Sequence, residues 1–105
     1  MPRETKIMPP IHPGETLREG FLKPLGITAN RVAMELMVPV TRINDIVREK
    51  RAISADTALR LGRYLGTSAQ LWMNLQARYD LLLAKANGKG IGRSKPKLRT
   101  KESAA

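Results

Sequence analysis

With 105 residues and a formal charge of +10, the chain has room for one domain with one modest core, and its basic balance suits a polyanionic partner, either nucleic acid or an anionic membrane surface. It holds no cysteine, which excludes disulfides, thiolate metal sites and a cysteine nucleophile and fits a reducing cytoplasm. No apolar run approaches the roughly 18 residues of a membrane span, and the polar, proline-bearing start is unlike a secretory signal.

The charge is unevenly placed. Residues 1–88 carry thirteen basic and eight acidic side chains, whereas residues 89–105 carry six basic ones against Glu102 alone. Half the excess therefore sits in a short terminal stretch. Aromatics are few (Phe21, Tyr64, Trp72 and Tyr79), so the core has to come mainly from Leu, Ile, Val, Ala and Met.

In chain order, residues 1–12 contain Pro2, Pro9 and Pro10 without periodicity and read as an extended arm. Pro13 and Gly14 open a first helix with Glu15 in its first turn, where an acid complements the helix dipole. Leu17, Phe21 and Leu22 form its apolar face, and Pro24 with Gly26 should stop it. Thr28 caps a second helix running to about Leu36, with Val32, Ala33 and Leu36 inward. After a very short break, Pro39 restarts the chain into a third helix, roughly Val40 to Arg48, with Ile43, Ile46 and Val47 facing in. Ser54 caps a fourth, with Asp56 in its first turn and Ala58, Leu61, Gly62 and Leu65 along one side, and it ends at Gly66. Thr67 to Gln70 reads as a capping box for the fifth and longest helix, with a stripe of Leu71, Leu75, Tyr79 and Leu82 widened by Trp72 and Leu83. It should end near Ala86, ahead of Asn87 and Gly88. Residues 88–105 read as a disordered basic tail, so the folding domain is residues 13–87.

Two short helices joined by a three-residue break suggest a helix-turn-helix at residues 28–48. The second helix of such a pair must cross the first closely for its outer face to enter the major groove. Close crossing requires a small residue, here Ala33, with apolar residues just before it and three, five, ten and thirteen positions after. Val32, Leu36, Val38, Ile43 and Ile46 satisfy all five positions. Chance agreement is on the order of one in a hundred for ordinary apolar content. Glycine is usual four residues after the small alanine, and Met37 stands there. Either Met37 takes a left-handed backbone, or the turn has another shape helped by Pro39; the second is the preferred expectation.

This geometry makes helix three the reading helix. Val40, Thr41 and Arg42 in its first turn should meet base edges, with Asn44 and Asp45 next along the exposed side. Arg48, Lys50 and Arg51 suit phosphate contacts, as does Thr28 at the start of helix two. Arg60 and Arg63 are either further phosphate contacts or a solvated face. Trp72, Leu75 and Tyr79 on helix five are either core or a surface shared with a second copy or a partner.

Catalytic constellations are lacking. His12 is the sole histidine and is expected to cap or pack, since a metal site needs several converging ligands. Ser54, Ser68, Thr28 and Thr67 stand where caps belong. Gly88-Lys89-Gly90 lacks the strand and helix of a phosphate loop. No cofactor or metal is called for, and the chain is not expected to be an enzyme.

The run Ile11-His12-Pro13-Gly14-Glu15, followed by Phe21-Leu22-Lys23-Pro24-Leu25-Gly26, resembles the opening of the HigA-type antitoxins. The resemblance continues through Val38-Pro39-Val40-Thr41-Arg42-Ile43 and Arg51, then Asp56 to Leu61, Gly66-Thr67-Ser68 and Leu71 to Gln76, covering about residues 9–83. It implies an all-α, five-helix fold of the phage-repressor kind. It also implies a homodimer that represses its own operon at a palindromic operator in double-stranded DNA. A small basic toxin, a messenger-RNA endonuclease, would be the protein partner, and no membrane would be involved. A stand-alone regulator without a toxin and a basic RNA-associated protein are the alternatives. The second is disfavoured because RNA platforms display stacking aromatics.

Overall fold

The computed structural model describes residues 9–87, so the arm before Pro9 and the tail from Gly88 lie outside the described residues. Five helices follow one another, and no strand occurs among the described residues.

Helix α1 covers residues 13–25. His12 caps it, its Nδ1 accepting the Gly14 N–H at 2.8 Å, and Pro13 takes the first helical position. Contrary to the sequence expectation, Pro24 does not end the helix. The chain is α-helical over Pro13–Leu17, widens to a π-helical turn over Arg18–Leu22, and is α-helical again over Lys23–Leu25. In an ordinary α-helix the Pro24 ring collides with the carbonyl four residues back, that of Gly20. The wider turn, in which the Lys23 N–H reaches the Arg18 carbonyl, relieves that clash. The stop is Gly26 alone. At φ 67° it lets the Ile27 N–H return to the Leu22 carbonyl at 3.0 Å.

Helices α2 (Ala29–Leu36) and α3 (Val40–Val47) form the helix-turn-helix. Thr28 Oγ1 caps α2 by accepting the Arg31 N–H at 3.1 Å. The turn corrects a second expectation. Met37 is left-handed, at φ 62° and ψ 47°, and the chain closes as it would around glycine. The Val38 N–H bonds the Ala33 carbonyl at 3.1 Å, and the Met37 N–H bonds that of Met34 at 3.1 Å. Two bonds that satisfy the last carbonyls of α2 offset a left-handed strain of about 1–2 kcal/mol. The Met37 side chain, 84% exposed, adds no packing cost. Glu49 closes α3 in the same way, at φ 64°, with the Lys50 N–H on the Asp45 carbonyl at 2.7 Å.

Helix α4 (Ala55–Leu65) starts at Ser54, whose Oγ accepts the Thr57 N–H, and stops at left-handed Gly66. Helix α5 (Ala69–Ala86) starts at Ser68, whose Oγ accepts the Leu71 N–H at 3.0 Å. The expected capping box is therefore not formed. Thr67 instead accepts the Trp72 indole N–H at 2.9 Å, and Gln70 bonds Asn74.

The core is the set of inward faces the periodicity picked out. Leu17 and Leu22 come from α1, Val32, Ala33 and Leu36 from α2, Ile43 and Ile46 from α3, and Ala58 and Leu61 from α4. Ile53, between α3 and α4, joins them. Helix α5 lies on α4 and on α1, while α1 lies on α3. The buried line of α5 is Trp72 and Gln76, with Leu75 and Tyr79 half-buried beside it, whereas Leu71 and Leu83 face outward. Gln76 sits in this apolar stripe because its Oε1 accepts the Ile53 N–H at 2.7 Å, a buried donor that would otherwise be unsatisfied.

His12 is buried at the end of α1, edge-on to Tyr79 with ring centroids 4.8 Å apart. Burial pushes its pKa below the usual histidine value, and the carboxylates of Glu49 and Asp80 offset part of that shift. The unfolded chain therefore takes up a proton at a higher pH than the folded one. The stability that neutral His12 supplies is complete above the ordinary value of 6.5 and is lost progressively as pH falls from there through the lowered folded value. Protonation also removes the Nδ1 lone pair that receives Gly14. In urea unfolding between about pH 7.5 and about pH 5.5, wild type should lose more stability than His12→Asn, which keeps a cap but cannot titrate. Equal losses in the two proteins would show that His12 carries none of the dependence.

Candidate nucleic-acid interface

The direction in which α3 points is set by its buried side and by its two ends. Ile43 and Ile46 have no exposed surface, which fixes the opposite face outward. At its start, Pro39 stands at the N-cap without a side-chain cap, and the Arg42 N–H returns to the Pro39 carbonyl at 3.0 Å. At its end, α1 closes over it. Arg18 Nη1 donates to the Val47 carbonyl, and Arg18 Nη2 pairs with Glu49 at 3.1 Å. Gly14 lies so near the Ile46 carbonyl that no Cβ fits between them.

The residues expected to read bases fall on this one helix. Val40 and Thr41 are exposed in its first turn, while Arg42, Asn44 and Asp45 are half-buried along its flank. Arg48, Lys50 and Arg51 follow on the exposed stretch that leaves α3, and Thr28 is exposed at the start of α2. The structure does not leave these groups equivalent. The Thr28 Oγ1 accepts the Arg31 N–H as a cap, a bond that does not use its O–H donor. Arg51 pairs with Asp45 at 3.3 Å, so part of the positive charge there is compensated. Arg42 Nη1 pairs with Asp56 Oδ2 at 2.7 Å.

Asp56 was legible in sequence only as an acid in the first turn of α4. Its two arginine neighbours, Arg42 first and then Arg60, hold its carboxyl below the usual carboxylate range. Arg60 Nε reaches the same Oδ2 at 3.0 Å, and its Nη1 donates to the Leu36 carbonyl at 2.7 Å, satisfying the end of α2. Arg60 is thus engaged in an intramolecular role that the sequence reading, which weighed phosphate contact against a solvated face, did not include. Nearby, Glu35 accepts from the Tyr64 hydroxyl and pairs with Arg31 at 2.7 Å, and both contacts lower its pKa.

The residues considered for a shared surface on α5 separate. Trp72 is fully enclosed, tilted against Phe21 with ring centroids 5.5 Å apart. Within this chain it has no exposed surface, which is the core alternative of the two weighed for it. Leu75 packs against the core while half-buried, and Tyr79 is half-buried against His12. No group of three or more His, Cys, Asp or Glu side chains able to hold a metal ion occurs among the described residues. Among the same residues no helix is long and apolar enough to cross a membrane.

A helix-turn-helix family model matches residues 19–72. The chain is 56% identical over 84 residues to virulence-associated protein I of Dichelobacter nodosus, across 80% of this chain and 78% of that protein. It is similar in structure to the Pseudomonas aeruginosa antitoxin HigA, solved with the higBA promoter, at a TM-score of 0.80 and 48% identity over 87% of this chain and 99% of that one. A further Pseudomonas aeruginosa structure, of PA4674 in complex with its 18-bp operator DNA, superposes at a TM-score of 0.78 with 54% identity, over 88% of this chain and all of that one (100%).

Proposed function

This chain belongs to the helix-turn-helix family, among the HigA-type antitoxins, and from that premise we propose that it is a sequence-specific DNA-binding repressor of its own operon, with α3 as the reading helix. The observation that carries the proposal is the outward side of α3, set by buried Ile43 and Ile46, with Val40 and Thr41 exposed in its first turn and Arg42 half-buried at its edge. The relatives solved with promoter and operator DNA support it. The chain acts as a homodimer in the cytoplasm. Two copies of α3 enter successive major grooves about 34 Å apart, and the dimer occludes the promoter. Arg42 makes a bidentate contact to guanine, Thr41 and Val40 contact neighbouring base edges, and Arg48, Lys50 and Arg51 neutralise phosphates. The role is binding rather than catalysis. The folding domain is residues 13–87, and the basic stretch that follows adds sequence-independent DNA affinity.

The double variant Thr41→Ala with Arg42→Ala should lose on the order of 10- to 100-fold in operator affinity, together with its preference among bases. Gel-shift titration on operator and base-substituted duplexes measures both. Unchanged affinity and preference would remove α3 as the reading element.

The same membership supports neutralisation of a small toxin partner. Cells expressing the neighbouring small reading frame should stop growing and recover when this chain is supplied in trans. A frame that is harmless, or toxic regardless, leaves a DNA-binding repressor only.

A further inference from the structure

The tether between Arg42 and Asp56 crosses from the reading helix to a helix outside the helix-turn-helix. Arg42 is the third residue of α3, and its side chain is only 28% exposed. Val40 and Thr41 beside it are exposed. Asp56 is the second residue of α4, and its Oδ2 takes both Arg42 Nη1 at 2.7 Å and Arg60 Nε at 3.0 Å. Arg60 is in turn held by the Leu36 carbonyl at 2.7 Å, so the carboxylate is braced from the end of α2. A chain of contacts thus runs from α2 through α4 to one side chain of α3.

An unrestrained arginine at the front of a basic protein has two outlets, a guanine edge or the nearest phosphate. Phosphate contact is sequence-independent and is driven by charge. A guanidinium with one N–H held by a carboxylate keeps its other donors in a fixed plane, as bidentate recognition of a base requires. The carboxylate also cancels part of the charge that draws the group toward phosphate.

We propose that Asp56 is a positioning residue for sequence reading: it holds Arg42 toward a base edge and away from the phosphates, and so sets the ratio of specific to non-specific DNA binding. The inference rests on Arg42 being a reading residue. It adds a determinant on α4 that need not touch DNA.

The test uses the full chain with Asp56→Asn, Asp56→Glu, Arg42→Ala and the Asp56→Asn/Arg42→Ala pair. Affinity is measured for the operator, for operators with each guanine replaced, and for an unrelated duplex, over a salt series. Asp56→Asn should bind the unrelated duplex more tightly. The dependence of log affinity on log salt should steepen by about 0.9, the value for one added phosphate contact. The ratio of operator to unrelated binding should fall by about tenfold, within the range of one lost base contact. Asp56→Glu should restore the ratio, and Asp56→Asn should change nothing further once Arg42 is alanine. A shifted melting temperature with wild-type ratio and salt slope would reduce Asp56 to a structural role and overturn the proposal. If Arg42→Ala itself leaves operator preference intact, the reading of Arg42 fails and this inference with it. If Arg42→Ala abolishes preference while Asp56→Asn does not alter it, the reading stands and only the tether is refuted.

Discussion

Trp72→Ala should destabilise the domain by about 3–5 kcal/mol, the range for emptying a buried aromatic site. The indole is enclosed where α5 crosses α1 and α4, touching Phe21 and donating to Thr67. Its removal opens a cavity that the rigid helix crossings cannot close, and it strips α5 of its deepest anchor. Domains of this size hold about 5–15 kcal/mol in total, so much of that reserve is lost. Equilibrium urea unfolding measures the effect. Leu81→Ala, on the same helix and 59% exposed, serves as the control and should stay within about 0.5 kcal/mol of wild type. A Trp72→Ala protein that unfolds like wild type but no longer self-associates would assign the indole to an interface and refute the core reading.

Gly14→Ala should cost about 3 kcal/mol or more, at the upper end for forcing an atom into a packed site. On helix propensity alone the sign would be opposite, because alanine is favoured over glycine by about 1 kcal/mol within a helix. The reversal comes from the crossing of α1 and α3, where a Cβ on Gly14 would run into the Ile46 carbonyl. That obstacle is backbone and cannot swing aside. The helices must separate, and with them the contacts of Arg18 to Val47 and Glu49 that hold the end of the reading helix. Operator affinity should therefore fall along with the melting temperature. Gly20→Ala, on the same helix with nothing near its Cβ position, should leave both at or above wild type. Similar melting curves for all three proteins would show that the crossing is looser than its geometry implies.

These two residues mark the limit of what the sequence could convey. Caps, stops and periodicity are short-range signals, because they act through one residue's φ and ψ or through faces repeating every turn. Thr28 and Ser54 therefore cap the helices they were expected to cap, and Val32, Ala33, Leu36, Ile43 and Ile46 lie in the core as their spacing required. The helix-turn-helix, and with it the exposed start of α3 at Val40 and Thr41, was determined by the chain alone. Three features were decided only when helices met. Helix α5 bears apolar residues around much of its circumference, so periodicity did not separate Trp72, which faces α1, from Leu71, which faces outward. Met37 accepts a left-handed backbone and Pro24 an interior helical position, because neighbouring hydrogen bonds offset a cost that propensity alone would forbid. Asp56 meets Arg42 across fourteen positions of sequence, a pairing that exists only because the chain after α3 brings the first turn of α4 to the first turn of α3. Local chemistry determined which helices form and which faces are apolar; contacts between residues distant in sequence decided which of those faces are buried and which charges meet.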